Sequence, residues 1–531
     1  MSVLSAAIIG LFALWWFNLA HIPHNFSGRW HLIDALLYLA VSYVIWHPMV
    51  MMVLAWVVAL HIKELPKLRP ARGARVAFIT NFVPASEPIE LLEKNLPAMV
   101  KASYKHDTWL LDEGDDPAVK ALCERLGVHH YSRRGQPDYN TVGGKFAAKT
   151  KGGNHNSWYD RHGANYDFVA QIDTDFIPRK DFLTKTLGYF KNPKIAFVGT
   201  PQIYGNTAKS LIARGAAEQS YIFYGPFLRG LCGLDSSLLI GANHIIRVAA
   251  LKSVDHYSAH ITEDLLTGMK LHADGWQSVY VSEPLAVGEG PTAWRPYFNQ
   301  QMRWAYGCID ILWHHSPRLL RRMSYRRAIY YAWLQQYYFT GLAMALGIIG
   351  LVLYFGLGIS TATLDMRQFL LVYLPAISIC GFMALWLQRF NVRPRQERGL
   401  MVAGAIASLA AWPIFFLAFI CVLRRKHLVY KVTPKGMFNK PSHELHIFKP
   451  HFVVALIGGL ALASSFFTHR QSWVMMFWAG CITGSMALLP FMEDIYQVSL
   501  RVRSAILLRA ARLKRWRLIK QPSPAQPQGG A

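Results

Sequence analysis

Residues 167–175 read DFVAQIDTD, an apolar run that closes on two carboxylates, Asp173 and Asp175. A short, nearly continuous apolar run is the pattern of a strand buried on both faces of a parallel sheet. Carboxylates at the C-terminal edge of such a strand lie where open α/β sheets bind ligands. Two of them, two residues apart, suit a hard divalent cation carrying a diphosphate. Similar runs recur on either side: VAFIT at 76–80, TWLLD at 108–112, VHHY at 128–131, IAFVG at 195–199 and SVYVS at 278–282. Polar helical stretches separate them. Residues 76–310 are therefore expected to form an α/β domain with a largely parallel sheet.

The flanks differ in character. Hydrophobic residues make up 53% of the 531 residues and charged residues 16%, against about 25% charge in ordinary globular proteins. That excludes a disordered chain, a collagen-like rod and a wholly cytosolic enzyme. The uncharged residues 2–20 are long enough to cross a bilayer of about 30 Å. The first Lys or Arg is Arg29, so an anchor is expected rather than a signal peptide. A second run covers 33–61, with Pro48 inside it, and further runs cover 328–358, 367–389, 400–423, 449–468 and 471–491.

Basic residues orient these runs. Lys63, Lys67, Arg69, Arg72 and Arg75 follow the second run and mark the cytoplasmic side. The 400–423 run has Arg393, Arg395 and Arg398 before it and Arg424, Arg425 and Lys426 after it. A crossing would strand one cluster outside, so this run is read as interfacial or re-entrant. Six spans remain. The expected organisation is 1–62 transmembrane helices, 63–310 the cytosolic domain and 311–327 an interfacial helix. Then come 328–389 transmembrane helices, 390–448 an interfacial segment and loop, 449–491 transmembrane helices, and 492–531 a basic tail with a disordered Pro/Gly/Gln-rich end. The net charge of +25, from 56 Lys+Arg against 31 Asp+Glu, then fits anionic lipid and phosphate-bearing substrates, and no nucleic acid is expected. Six scattered cysteines with no Cys-x-x-Cys pair write neither a disulfide framework nor a zinc knuckle.

Two further motifs carry chemistry. Thr262-Glu263-Asp264 opens a helical stretch. Thr followed by acidic residues suits a helix N-terminus; equally, Asp264 is placed to take a proton from an attacking hydroxyl. Residues 300–304, QQMRW, stand among Trp294, Tyr297, Tyr306 and Trp313. Gln300 supplies an amide, Arg303 a permanent cation for phosphate, and Trp304 a flat ring for a sugar face. A basic, aromatic interfacial helix would look similar.

These three elements, in this order, resemble the processive family-2 glycosyltransferases, the membrane-embedded synthases of cellulose, curdlan, mixed-linkage glucan, chitin and hyaluronan. LLDEGDD at 110–116 looks like the family's Asp-Asp-Gly element, which would place Asp112 near a nucleotide. TNFVPASEP at 80–88 resembles its Thr-Tyr-Asn-Glu-Pro opening in stretched form, with Thr80 and Glu87 as counterparts. KGGNHN at 151–156 looks like the Lys-Ala-Gly-Asn loop and gives Lys151 a nucleotide-side role. VTPKG at 432–436 resembles the gating loop of β-glucan synthases, with Val432, Thr433 and Lys435 in the matching places. Departures are Phe176 for a usual His, Ile240-Gly241-Ala242-Asn243 for Phe-Cys-Gly-Ser beside the acceptor, Gln301 for Arg, and Tyr430 for Phe.

The resemblance implies a GT-A-like, Rossmann-like cytosolic domain within a multi-pass helical region of the bacterial inner membrane. It implies an inverting, processive transferase that draws on a UDP-sugar, foremost UDP-glucose, extends a polysaccharide acceptor and exports it. The β-1,4 (cellulose), β-1,3 (curdlan) and mixed linkages stay open. Asp175 would hold Mg2+ or Mn2+, and Thr80, Glu87, Asp112, Lys151, Asp173 and Arg303 the nucleotide. Thr262, Glu263 and Asp264 would carry catalysis, with Asp264 as base. Gly241, Ala242, Asn243, Gln300 and Trp304 would meet the acceptor. Gln335, Gln336, Tyr337 and Tyr338 suit a sugar path as well as they suit an interfacial belt. Membrane lipids and an accessory export subunit or a second copy of the chain are the other expected partners. With no further domain after the last run, no PilZ module is expected. A transferase adding one sugar to a lipid carrier, a hyaluronan- or chitin-type synthase, and a non-enzymatic membrane receptor or transporter are the rival readings.

Overall fold

A computed structural model describes residues 2–426, 444–468 and 472–519. The strands are β1 (Val76–Phe82), β2 (Asp107–Asp112), β3 (His129–Tyr131), β4 (Phe168–Asp173), β5 (Ile177–Pro178), β6 (Ile195–Gly199), β7 (Ile203–Tyr204), β8 (His244–Arg247), β9 (Gln277–Tyr280) and β10 (Ala286–Gly288). All six anticipated runs are strands. Seven strands form the main sheet in the order β3-β2-β1-β4-β8-β6-β9, and β5, β10 and β7 form a small second one. β1 runs parallel to both β2 and β4, and β8 lies antiparallel between β4 and β6. The chain winds outward from β1 to β3 and then returns to β4 on the other side of β1. The crevice at the C-terminal ends of β1 and β4 is thus the switch point where such sheets take ligands.

Both faces of the sheet are covered, which is why β1 is apolar almost throughout. Phe78 of β1 and Leu110 of β2 share a core with Leu92, Leu96 and Met99 of the helix Ile89–Val100 and with Val119 of the helix Pro117–Leu126. Their alternate neighbours Ala77, Ile79 and Leu111 pack with Trp158 and Tyr159 of the helix Lys151–His162 on the opposite face. The α/β domain expected from the sequence is in place.

Among the described residues, five helical stretches outside it are long and apolar enough to cross a membrane: Gly28–Ala59, Tyr325–Leu357, Met366–Phe390, Leu445–Thr468 and Trp473–Arg509. Pro48 does not split the first of them. The run 2–20 differs from the expected full span. Its helix is Ser2–Trp16, 15 residues, or about 22 Å at 1.5 Å per residue. It stops short because the Asn18 side chain accepts from Ala20 N and turns the chain. Residues 400–423 form two helices, Val402–Ala410 and Trp412–Leu423, bent by 41° to one another. The stretch 311–327 is not one helix either, since the backbone is extended at Met323. The basic tail is helical over Met492–Ile519, and it is tied to the α/β domain where Glu493 accepts from Leu211 N at 2.9 Å and Gln497 donates to Lys209 O at 3.1 Å. Val432, Thr433, Lys435 and the Pro/Gly/Gln-rich end lie outside the described residues.

The α/β domain and the helical region share closely packed surfaces. On the domain's helix Leu211–Ile222, a side chain on Gly215 would meet Ala403 O at 2.7 Å and Ala407 Cβ at 2.8 Å. Glu218 of the same helix accepts from Gly404 N at 2.9 Å. Gly215→Val is expected to cost about 1–3 kcal/mol by overpacking, read as a lower thermal midpoint of the full chain in detergent. Gly459→Val, where a side chain would meet nothing within 4 Å, should leave the midpoint unchanged.

Candidate active site

The parallel register sets Asn81 of β1 opposite Asp173 of β4, and Phe82 opposite Asp112 of β2. The segment after β1 is clipped to the Asp-Thr-Asp turn by Glu87, whose carboxylate accepts from Val83 N at 2.9 Å and from the Thr174 hydroxyl at 2.8 Å. Asp112 ends β2 below the crevice. It is fully buried, and it accepts from Gly114 N at 2.8 Å and Asp116 N at 2.9 Å, with His130 Nε2 at 3.2 Å. Thr80 is fully buried as well. Strand alternation turns Asn81 to the crevice in its place, and Glu113 lines the crevice next to Asp112.

KGGNHN is not a loop but the first turns of the helix Lys151–His162, capped by Thr150, which accepts from Gly153 N at 3.0 Å. A side chain on Gly153 would collide with Ala147 O, so only glycine permits this start. The helix delivers Lys151 to the end of β4, where Nζ is 2.6 Å from Asp173 Oδ1 and also donates to Gly241 O. Gln171 Nε2 donates to the same carbonyl at 2.9 Å. Of the 240–243 segment, Ile240 and Gly241 line the cavity. Ala242 and Asn243 are fully buried, with Asn243 donating to Pro201 O at 3.2 Å and accepting through its own carbonyl from Thr200 N at 2.9 Å. The acceptor role anticipated for those two therefore has no exposed side chain behind it.

Thr262 stands at the N-cap of the helix Glu263–Ala273, yet its side chain makes no capping bond; it faces His260 Nδ1 at 3.0 Å instead. The plain capping account of this motif fails at that point. Asp264 Oδ1 accepts from Leu265 N at 2.8 Å. Burial raises Glu263 above the usual carboxylate range, and the neighbouring Asp264 charge adds to it. Burial raises Asp264 too, opposed by the Leu265 amide and the Lys151 ammonium. A carboxylate held in this way is a better base near neutral pH than a solvated one.

Gln300, Arg303 and Trp304 sit at i, i+3 and i+4 on the helix Trp294–Asp310 and line the same cavity. Gln300 Oε1 is buried there without a hydrogen-bond partner among the described residues, an acceptor that calls for a donor from a ligand. The helix is pressed onto the Thr262 turn: a side chain on Gly307 would collide with Thr262 Oγ1. Ala305 and Ile309 on its other side share a core with Phe415, Ala418 and Val422 of the bent pair.

The cavity, about 1360 Å³, runs from Asn81, Lys151, Asp173 and Asp175 past Asp264 and Trp304 to His47, Met51, Tyr337, Tyr338, Gly347 and Trp478 on the membrane-length helices. Tyr337 and Tyr338 are on its wall as expected. Gln335 is fully buried instead and accepts from Ser316 Oγ at 2.8 Å, and the Gln336 carbonyl is 3.0 Å from His47 Nε2. Asn81, His47, Gln219 and Trp478 line the cavity without any local pattern that announces them.

Residues 168–420 match the family model described as glycosyl transferase family group 2. A UDP-forming cellulose synthase catalytic chain of Dictyostelium discoideum is 31% identical over 206 residues, 38% of this chain and 18% of that protein. The UDP-forming cellulose synthase catalytic subunit of Pseudomonas fluorescens (strain SBW25) is 25% identical over 406 residues, 75% of this chain and 52% of that one. Among solved structures, mannosyltransferase PcManGT from Pyrobaculum calidifontis, in complex with GDP-Man and Mn2+, aligns with 74% of this chain and 100% of its own at 12% identity and a TM-score of 0.48. The chain spans about half of the Pseudomonas protein's length and less of the Dictyostelium one.

Lys151 holds Glu263 and Asp264 down against burial. Lys151→Met is therefore expected to move their titration to higher pH, read as the carboxyl bands in pH-difference infrared spectra. An unmoved titration would show that the ammonium does not reach the pair.

Proposed function

We propose that this chain, whose residues 168–420 match the glycosyl transferase family group 2 model and which is similar to cellulose synthase catalytic subunits, is a UDP-sugar-dependent hexosyltransferase that extends a β-linked glucan and passes it outward through its own helical region. One observation carries this reading. The Asp-Thr-Asp turn, the Asp264 carboxylate and the Gln300–Trp304 face open into a single cavity that continues between the membrane-length helices. A site for adding one sugar to a small acceptor does not need that continuation.

The donor's nucleotide belongs at the ends of β1 and β4, between Asn81, Glu87 and Asp173. Lys151 and Arg303 line the same wall and supply cations for the diphosphate. Carboxylates outnumber cations along that wall: Glu87, Glu113, Asp173, Asp175, Glu263, Asp264 and Glu289 against Lys149, Lys151 and Arg303. An incoming diphosphate needs further positive charge there. The oxygen-only donors of the Asp-Thr-Asp turn fit Mg2+ or Mn2+, which takes one or two protein carboxylates and completes its shell with phosphate oxygens. Asp175 would hold that ion, and when bound it neutralises the leaving diphosphate.

The acceptor's terminal hydroxyl gives its proton to Asp264 while its oxygen attacks the anomeric carbon from the face opposite the diphosphate. The new C–O bond forms as the bond to phosphate breaks, so the configuration inverts. Trp304 offers a flat face to the acceptor sugar, and Gln300 Oε1 accepts from one of its hydroxyls. Closure of the cavity around these groups keeps water from competing. We place the α/β domain on the cytoplasmic side of a bacterial inner membrane, with the basic segment 63–75 against its surface.

Purified full chain, incubated with radiolabelled UDP-glucose and Mg2+ or Mn2+, is expected to yield polymer that linkage-specific glucanases digest. Asp264→Asn should lower transfer at least about 100-fold while leaving UDP affinity within a few-fold. Asp175→Ala should lose the metal dependence of UDP binding. A single-sugar product on lipid would overturn processivity, and an active Asp264→Asn enzyme would overturn the base.

For topology, single cysteines at positions 395 and 426 in a variant cleared of native thiols should both label from the side of the α/β domain. Opposite accessibility would mean that the bent pair crosses.

A further inference from the structure

Away from the cavity wall, imidazoles gather around one carboxylate beneath the Thr262 turn. His260 Nε2 is 3.0 Å from Asp310 Oδ2, and His314 Nδ1 is 2.9 Å from Asp310 Oδ1. The rings of His260 and His315 meet edge to face with centroids 5.7 Å apart. One donor atom from each of His260, Asp310 and His315 lies within 4.8 Å of the other two. The side chains of His260 and Asp310 are only 9% and 17% exposed, so this is not a solvated surface patch. The helix Trp294–Asp310 runs on into a π-helical turn, Ile311–His315. Such a turn brings residue i+5 onto the face of residue i, which an α-helix would not do, and so sets His315 beside Asp310.

We propose that His260, Asp310 and His315 form a second metal site, selective for Zn2+ and other divalent transition ions that prefer imidazole, separate from the oxygen-only Asp-Thr-Asp turn. Two imidazole nitrogens and one carboxylate oxygen are the usual three protein ligands of such an ion, with water as the fourth. Gathering them at about 2.0–2.2 Å from the ion takes a small inward turn of the rings. His314, bonded to the other oxygen of Asp310, fixes the carboxylate's orientation in the way outer-shell partners of a metal ligand do.

The site reaches the catalytic turn through His260. Its Nδ1 accepts from Thr262 N at 3.1 Å and lies 3.0 Å from Thr262 Oγ1. A metal on Nε2 requires the ring proton on Nδ1. The ring then donates to Thr262 Oγ1, and the Thr262 amide loses its acceptor. Thr262 directly precedes Glu263 and Asp264, so an ion bound here disturbs the turn that aims the base, and Zn2+ should lower transfer.

The test uses tag-free full chain in detergent with excess Mg2+ present and Co2+ as the probe. Wild type should bind one Co2+ with the visible absorption of a tetrahedral ion, displaced by Zn2+. His315→Ala and Asp310→Asn should lose that absorption, His314→Ala should weaken binding about 10–100-fold, and Asp175→Ala should keep it. Thermal midpoints of the metal-free variants, with His315→Gln as the milder change, show that each is folded. In the transfer assay His315→Ala should keep Mg2+-supported activity and resist Zn2+. Co2+ absorption that survives His315→Ala in folded protein, or that disappears in Asp175→Ala, would overturn the site. Equal Zn2+ inhibition of wild type and His315→Ala would overturn its link to Thr262. Because binding is read spectroscopically, these outcomes stand apart from any failure of the proposed polymerase activity.

Discussion

The ammonium of Lys151 is the point on which the site depends. It meets Asp173 at 2.6 Å and the Gly241 carbonyl, and so joins the end of a central strand, the first residue of a helix and the segment that faces Asp264. It also lowers both Glu263 and Asp264, which burial alone would push further up. Lys151 and Asp173 are 14% and 31% exposed, so neither charge is well hydrated without the other. Removing one partner from such a pair leaves the second partly desolvated and without its nearest opposite charge. The cation therefore has a structural role of its own at the Asp-Thr-Asp turn.

Close backbone approach is the second constraint. Gly215 against Ala403, Gly230 against the Val58 carbonyl, and Gly307 against Thr262 each leave no room for a side chain. The first two bring the α/β domain onto the flanking helices, and the third locks the helix of Gln300, Arg303 and Trp304 onto the turn that starts with Thr262. These contacts make the crevice at the sheet edge and the space between the long helices one cavity.

Inside that cavity the groups are matched by environment. Asp173 is neutralised by a cation, whereas Glu263 and Asp264 are desolvated side by side and pushed toward neutral pH. The first arrangement favours holding charge, the second favours exchanging a proton. Gln300 Oε1, left without a partner among the described residues, adds a directional contact that neither carboxylate provides.

Much of this was legible along the chain. Apolar runs of strand length, the paired carboxylates after DFVAQI and the i, i+3, i+4 spacing of Gln300, Arg303 and Trp304 are local properties, since burial on two faces or on one helical face leaves a direct trace in residue order. The basic flanks of 400–423 argue against a simple crossing; the 41° bend between the two helices there is a feature that residue order did not announce. What local order could not decide is which side of a strand, or which neighbour from far along the chain, each group meets. Thr80 and Asp112 lie behind the wall while Asn81 and Glu113 form it, because strand register and the turn after β2 set their direction. KGGNHN became a helix start because Thr150 caps it and the chain at Ala147 crowds Gly153. His260, Asp310 and His315 come together only when one helix is laid across the start of another. Residue order therefore settles the elements and the kinds of chemistry available, as those follow from composition and period. Which groups share a site is settled by folding alone, because it depends on contacts between residues tens to hundreds of positions apart.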